Sequence, residues 1–398
     1  MPALKDKFQS ALVRRRLAKI LSLQNFEHAA RKKLPHPIYQ YIAGAAEDNV
    51  SFADNRSSFN DYWLIPRALV NISRRSTEQD IFGSRYQLPV GIAPMGISAL
   101  SAYRGDIVMA SAAADMGIPF IMSGSSLIPM EELRNFNPDT WFQAYLPGTE
   151  QEVTDLIERI RVAGFKTLVI TVDTPIAANR ENNVRAGFST PLKPSMRLAM
   201  EGLLHPSWLF GTFLKTMARH GMPHFENNYA TRGSPILSRH VERDFADRGN
   251  IEWRHLEMIR QQWNGNLVLK GILNATDAKH AVDVGVDGVI VSNHGGRQLD
   301  GAIPPLKVLP EIVEACPELP VMLDSGVRRG TDVIKALALG ASFVFVGRPF
   351  GFAAAVAGQP GTRHAIELLK QEVSRDMALL GVCSVDAVTR DLIRRKET

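Results

Sequence analysis

An α/β fold of the (β/α)8 TIM-barrel type, with a long insert after strand four, is what this sequence predicts, and three observations carry it. Short apolar runs recur eight times, most of them separated by stretches of helical periodicity, the pattern of βα units around a parallel sheet. A polar or glycine residue closes each run, where a barrel keeps its active site. The interval between Val172 and Leu267 is much longer than any other. A doubly wound open sheet is the alternative architecture.

In chain order the strands are expected at Pro89–Pro94, Pro119–Ser123, Trp141–Leu146, Thr167–Val172, Leu267–Gly271, Gly288–Ser292, Val321–Asp324 and Phe343–Gly347. Helical periodicity places helices at Arg104–Met116, Glu150–Ala163, Glu252–Trp263, Ala275–Val284 and Arg329–Leu339. The barrel is expected over 34–380, with 187–250 as an insert, 1–33 as a basic N-terminal segment and 381–398 as a C-terminal tail. Within the insert, Met196–Leu214 is rich in Met, Leu, Trp and Phe and poor in charge. It reads either as a cap packed on the barrel or as a patch that dips into a membrane surface.

The chain has 398 residues, 45% hydrophobic and 22% charged, an ordinary globular composition. Its formal charge of +5 does not make it a nucleic-acid binder, because residues 1–33 hold nine Lys/Arg against two acids and the remainder is slightly acidic. The Arg-rich stretch Lys5–Ser22 reads as a transit-type helix, a solvated amphipathic helix or a contact with anionic lipid. Two distant cysteines, Cys316 and Cys383, fit neither a disulfide framework nor a zinc site, and Gly221 and Pro223 spoil His220 and His224 as a helical metal face. No metal is expected. No apolar run reaches the roughly 18 residues of a membrane span.

The most informative string is Ser292–Asp300, Ser-Asn-His-Gly-Gly-Arg-Gln-Leu-Asp, directly after the apolar run of strand six. His294 titrates near neutral pH and Arg297 stays charged, a layout for taking a proton while holding an anion. The other strand ends supply Ala93-Pro94-Met95-Gly96, Ser123, Gln143 with Tyr145, Thr171 with Asp173, Lys270, Asp324 and Gly347-Arg348. A single polar residue at a strand end is most often a helix cap; eight in succession argue for a site. Asp324-Ser325-Gly326-Val327-Arg328-Arg329-Gly330 after strand seven and Gly347-Arg348 after strand eight combine glycines with guanidiniums, where barrels bind phosphate. A phosphate-bearing cofactor is therefore expected, and the lack of Gly-x-Gly-x-x-Gly after any strand disfavours a Rossmann dinucleotide site.

Ser292–Asp300, together with Tyr39-Gln40-Tyr41, Ala46-Glu47-Asp48, Trp141–Tyr145, Thr171–Pro175, Leu269-Lys270-Gly271 and Lys335–Ala341, resembles the FMN-dependent 2-hydroxy acid oxidases and dehydrogenases from about Leu34 to Leu380. The resemblance implies FMN as cofactor, held by Ala93, Pro94, Met95, Gly96, Ser123, Gln143, Thr171, Lys270, Ser292, Asp324, Ser325, Gly326, Val327, Arg328, Gly347 and Arg348. It places Tyr41, Tyr145, Arg180 and Arg297 on the substrate, with His294 as general base and Asp173 stabilising the imidazolium. It also implies a homotetramer.

Three positions depart from the commonest family pattern. Met95 stands where threonine is usual. Ser125 stands where glycolate-oxidising members carry tryptophan, which makes the substrate pocket roomier. Gly96 stands where typical oxidases carry alanine and the bacterial mandelate-oxidising and some lactate-oxidising dehydrogenases carry glycine. Leu204–Trp208 and Arg219–Pro223 also resemble the membrane-associating insert of that branch. The expected function is oxidation of an (S)-2-hydroxy acid, mandelate-like or lactate-like, to the 2-oxo acid, with electrons passed to a membrane quinone or protein carrier. The expected place is the cytoplasm, peripheral on the inner face of the cell membrane. A soluble oxidase that makes hydrogen peroxide, and a non-catalytic barrel scaffold, are the other two readings.

Overall fold

Valine, isoleucine and phenylalanine dominate the eight apolar runs, and their branched or flat side chains suit a pleated surface packed on both faces. In the computed structural model, which describes residues 11, 13–238 and 246–397, all eight runs are strands: β1 Val90–Ile92, β2 Ile121–Ser123, β3 Trp141–Ala144, β4 Thr167–Thr171, β5 Asn266–Ile272, β6 Gly288–Val291, β7 Val321–Leu323 and β8 Phe343–Val346. They pair in parallel in the order β1-β8-β7-β6-β5-β4-β3-β2. A parallel bridge between Ile92 and Phe120 joins the two ends, and the Ile92 amide donates to the Pro119 carbonyl at 2.9 Å. The sheet therefore closes into the expected (β/α)8 barrel.

The two-residue period of a strand sorts the side chains. Leu168, Ile170, Leu267, Leu269, Val289 and Val291 point outward into the core shared with the helices. Trp141, Val169, Val268, Ile290, Met322 and Phe345 fill the barrel interior. At the floor, a hairpin of Gln79–Ile81 and Ser84–Tyr86 closes the barrel. Phe82 at its turn lies 5.4 Å from Trp141, and Tyr86 lies 5.8 Å from Phe343. Two residues beyond each interior apolar side chain, the same period brings Ser123, Gln143, Thr171, Lys270, Ser292, Asp324 and Gly347 to the barrel mouth.

Several boundaries differ from expectation for local reasons. β3 ends at Ala144 rather than Leu146. The first barrel helix begins at Gly105, because Arg104 takes a left-handed conformation as its cap. The helix after β7 spans Gly330–Ala338, with Asp332 accepting from the Arg328 and Arg329 amides. Thr149 and Asn274 cap the helices Glu150–Val162 and Ala275–Val284 with their side-chain oxygens.

Segments toward both ends of the described residues are built into the fold. Helix Leu23–Lys33 buries Leu23, Phe26 and Ala30, and Phe26 meets His364 of the long, kinked helix Arg348–Leu380 edge-on at 6.0 Å. Ile393–Arg395 pairs antiparallel with Tyr62–Leu64. In the insert, Met196–Leu204, Pro206–Trp208, the π-turn Leu209–Phe213 and Leu214–His220 form a helical run. Its Trp208 is buried, donating to the Leu100 carbonyl at 2.7 Å and stacking on Phe213 at 5.6 Å. Leu203, Leu204 and Phe210 of the same run are 64%, 70% and 66% exposed. Among the described residues, no helix is long and apolar enough to cross a membrane.

One buried acid opposes the fold. Asp106 is 1% exposed and neither carboxylate oxygen makes a hydrogen bond of normal geometry. Desolvation pushes its pKa up to about 7, only partly offset by the nearby Ser126 hydroxyl. Because the folded value lies above the unfolded one, Asp106 costs stability increasingly as pH rises from about 4 and in full above about 7. Asp106→Asn is expected to raise Tm relative to the parent at pH 8 and to lose that advantage by pH 5 in paired thermal melts. A constant difference across that range would assign Asp106 another role.

Candidate active site at the barrel mouth

The polar layer above the barrel interior opens into a cavity of about 380 Å³. Tyr41, Met95, Gly96, Ser125 and Tyr145 line it together with Arg180, Lys270, His294, Arg297 and Arg348. Ala93, Pro94, Thr171, Asp324, Ser325, Gly326, Val327, Arg328 and Gly347 complete the expected set along its wall. Ser123, Gln143 and Ser292 are buried. Ser123 donates to Gln143 Oε1 at 3.2 Å, and the Ser292 hydroxyl accepts from Lys270 Nζ at 2.9 Å and from the His294 amide at 3.0 Å.

His294 follows β6 in a left-handed conformation, φ 58°. Its Nδ1 lies 2.8 Å from Asp173 Oδ1, the residue two beyond the end of β4. Burial lowers the His294 pKa, aided by the Lys270 and Arg180 charges and opposed by Asp173. The ring is therefore neutral at pH 7, with Nδ1–H donating to Asp173 and Nε2 left as a base. For Asp173, burial acts upward, but in the acid range where the carboxyl titrates the His294 imidazolium, its hydrogen bond and the Lys270 charge outweigh it and hold the carboxyl below its usual range. β5 makes this contact possible by bulging between Lys270 and Ile272. Gly271 in that bulge has φ 111°, and a Cβ there would stand 2.7 Å from the Asp173 Cβ.

Lys270 is 4% exposed and forms a 3.0 Å ion pair with Asp324, one strand beyond Ser292. Burial works against its charge, yet Asp324 and Asp173 prevail and raise the Lys270 pKa. Asp324 is itself oriented by the Ser325 hydroxyl at 2.8 Å.

The arginines reach the cavity from four elements. Arg297 Nη1 donates to the Tyr41 and Gly44 carbonyls, both at 2.8 Å. Arg348 donates to Ile42 and Gly44 carbonyls at 3.0 and 2.9 Å. Arg180 donates to the Arg297 carbonyl at 3.0 Å and to Gln298 Oε1 at 2.7 Å. Desolvation, then Arg180, bring the Arg297 pKa down to about 10. Desolvation and Arg56 bring Arg328 to about 10, and burial with Arg297 and Arg328 lowers Arg348 well below its usual value. Such a cluster calls for an anion.

Sequence reasoning missed several contacts that shape the cavity. Phe188 stacks on Tyr41 at 4.6 Å. Arg248 lies over the Tyr145 ring at 4.8 Å. The Ser125 hydroxyl is 3.3 Å from Asn228 Oδ1. No local motif marks these residues, because each partner lies far away in the chain.

A phosphate-bearing planar cofactor fits these residues. Gln143 Nε2 and Thr171 Oγ1 are buried in the polar layer without a partner, a state native proteins rarely leave unused. At Gly326, φ 88°, a Cβ would meet the Asn55 carbonyl at 2.2 Å, so glycine lets the loop after β7 pack against the chain before the barrel. Arg328 and Arg348 flank that loop at the phosphate position of barrels.

A parallel barrel with a His–Asp pair, a buried lysine and a guanidinium cradle at its mouth is the class of cofactor-dependent barrel oxidoreductase. The chain belongs to the FMN-dependent dehydrogenase family, which matches residues 30–395. Its cofactor is FMN. It is 38% identical to an L-lactate dehydrogenase of Caulobacter sp. (strain K31), over 95% of this chain and 99% of the relative. It is 34% identical to the (S)-mandelate dehydrogenase of Pseudomonas putida, over 95% of this chain and 94% of the relative. The crystal structure of a monotopic membrane protein, (S)-mandelate dehydrogenase, matches with TM-score 0.85 and 32% identity, covering 95% of this chain and all of that one. A mandelate oxidase with benzoyl-formic acid matches with TM-score 0.77 and 36% identity, covering 94% of this chain and 98% of that one.

The lowered His294 pKa has a kinetic consequence. The rate at which a substrate bleaches the yellow protein is expected to rise with pH along a limb centred below 6.5 and then stay flat. Rapid-mixing reduction from pH 5 to 8 measures it; a limb centred above 7 would mean that His294 is charged in the resting protein.

Proposed function

We propose that the protein oxidises an (S)-2-hydroxy acid to the 2-oxo acid, as a dehydrogenase at a membrane surface. The observation that carries this reading is the convergence of the His294–Asp173 pair, Arg180, Arg297 and Lys270 on one cavity. FMN supplies the chemistry that accepts two electrons from the substrate. Ala93–Gly96, Ser123, Gln143, Thr171, Lys270, Ser292, Asp324–Arg328, Gly347 and Arg348 hold it.

Arg180 and Arg297 hold the substrate carboxylate, and Tyr41 and Tyr145 hydrogen-bond its oxygens. His294 Nε2 takes the proton, and the ionised Asp173 stabilises the resulting imidazolium. Lys270 stabilises negative charge that develops at the bottom of the cavity. Leu100, Ile176, Val184 and Phe188 form an apolar side of the same cavity. With the small Ser125 beside them, they suit an aryl or long alkyl side chain, as in mandelate.

Gly96 bears on the room beside the substrate groups. A Cβ there would stand 3.0 Å from Ser125 Cβ and 3.2 Å from the Tyr41 hydroxyl. Tyr41 now reaches the Gly96 carbonyl at 3.3 Å. Gly96→Ala therefore presses on both substrate-side groups.

The exposed Leu203, Leu204 and Phe210, with Met196 and Leu214 beside them and Arg197, Lys215 and Arg219 on the same helical run, support peripheral membrane contact. Burying each Leu or Phe in the interface contributes about 1.5–3 kcal/mol. A membrane quinone is the acceptor that this placement favours. A tetramer and a site on the inner face of the cell membrane belong to the same reading.

Two measurements test it. His294→Gln is expected to leave a folded yellow protein that (S)-mandelate bleaches about 10² to 10⁴-fold more slowly in anaerobic rapid mixing; a near-normal rate removes His294 as the base. Replacing Leu203, Leu204 and Phe210 together by serine is expected to move the protein from sedimented vesicles to the supernatant, with bleaching unchanged. Unchanged sedimentation would make the apolar run a cap, and prompt hydrogen peroxide formation in air would make the enzyme an oxidase.

A further inference from the structure

A second cavity, of about 200 Å³, lies between the insert and the barrel. Its walls come from Leu127, Ile128 and Pro129 on the barrel side and from Thr216, His220 and Met222 on the insert side. Arg104 and Glu132 join them as an ion pair. The two cavities share a partition. Helix Ser98–Ser101 turns Ser98, Leu100 and Ser101 toward the barrel mouth, while Ala99 faces the second cavity. The width of one helix separates them, roughly 10 Å with its side chains.

We propose that this second cavity binds the ring of the quinone acceptor, a proposal that rests on the dehydrogenase reading above. Leu127, Ile128, Pro129 and Met222 offer an apolar slot for a flat ring. Arg104, with N–H donors beyond those directed at His220 and Glu132, offers hydrogen bonds to its carbonyl oxygens, and His220 holds that guanidinium in place. Arg104 Nη1 lies 3.2 Å from His220 Nδ1, and the Tyr103 hydroxyl lies 3.0 Å from Nε2, so the imidazole is held at the rim by two partners. Burial and the Arg104 charge lower the His220 pKa. With Nδ1 accepting from Arg104, Nε2 carries the proton.

The position matches the acceptor's chemistry. The segment that supplies Thr216 and His220 continues directly from the exposed Phe210 and Leu214. A quinone whose tail stays in a bilayer against that face reaches the slot without crossing water. The hydroxy acid loses two electrons and two protons; the quinone gains two electrons and two protons and becomes a quinol. Electrons cross the Ser98–Ser101 partition. Protons leave the barrel mouth to water and are taken up from water at the rim, where His220 is exposed.

The test uses the FMN-loaded protein and an azido-substituted short-chain ubiquinone. Photolabelling in the dark-adapted complex, followed by peptide mapping, is expected to mark Leu127–Glu132 or Thr216–Pro223. Thr216→Phe, which fills the slot from the insert, is expected to lose the label and to slow re-oxidation by decylubiquinone at least tenfold. Its bleaching by (S)-mandelate and its re-oxidation by ferricyanide should match the parent. His220→Leu provides a second variant, expected to weaken quinone re-oxidation with the same two controls intact. Label recovered on Ile176–Phe188 instead, or parent-like labelling and quinone re-oxidation in Thr216→Phe, overturns the proposal. Failure of the functional reading looks different: no bleaching of the parent by any hydroxy acid, with the photolabel still deciding the slot. A parent that oxygen re-oxidises and quinone neither labels nor re-oxidises removes both the acceptor and its site.

Discussion

Six lysine and arginine side chains, Arg248 among them, line the barrel mouth, and the rest of the site follows from how their charge is tolerated. Lys270 has Asp324 and Asp173 close by. Arg180, Arg297, Arg328 and Arg348 have few carboxylates among them. The fold meets this demand with backbone dipoles. Helix His36–Ala43 ends at the mouth, and the carbonyls of Tyr41, Ile42 and Gly44 accept from Arg297 and Arg348. The last carbonyls of a helix lack partners within it and carry partial negative charge, so this end is suited to guanidiniums. A segment outside the barrel thereby becomes part of the active site. Arginines that are hard to bury together favour an anion between them, and in the proposed reading these are the FMN phosphate and the substrate carboxylate.

Period two does the remaining placement. Above each interior apolar residue of a strand stands one functional residue: Lys270 over Val268, Ser292 over Ile290, Asp324 over Met322, Thr171 over Val169. A shift of register by one residue in any strand would turn its functional group out toward the helices and an apolar one in. The apolar layer and the polar layer thus specify each other. Catalytic geometry here is a consequence of packing, and the bulge at Gly271 is the place where the chain departs from regular pairing to bring Asp173 within reach of His294.

This regularity is also why much of the molecule could be read from its residues. Eight apolar runs ending in polar groups were visible, and the strands fall within a few residues of their expected limits. His294, Arg297, Lys270 and Asp324 were legible because each lies in or shortly after the C-terminal end of a strand. Contacts between remote segments were not: Phe188 on Tyr41, Arg248 over Tyr145, Asn228 beside Ser125, and the pairing of Ile393–Arg395 with Tyr62–Leu64. Such pairs have no periodicity of their own. The floor hairpin at Gln79–Tyr86 was missed for a related reason, since a short two-stranded ribbon shows few alternating positions and its role is set by the ring it plugs.

The insert was the hardest segment to read because one apolar run supplies both a packed face and an exposed one. Trp208 is buried against the Leu100 carbonyl, so the inner face of the run is a cap. Leu203, Leu204 and Phe210, from the same turns, face outward. An apolar run in sequence looks the same whichever face an individual residue takes, and only the docking of Trp208 separates them. That docking has a mechanical consequence. Leu100 lies on the helix that also forms the wall of the barrel-mouth cavity, so the exposed apolar face of the insert and the wall of that cavity are joined through one tryptophan hydrogen bond and one turn of helix. A contact so short leaves little room for the insert to move independently of the chemistry beneath it.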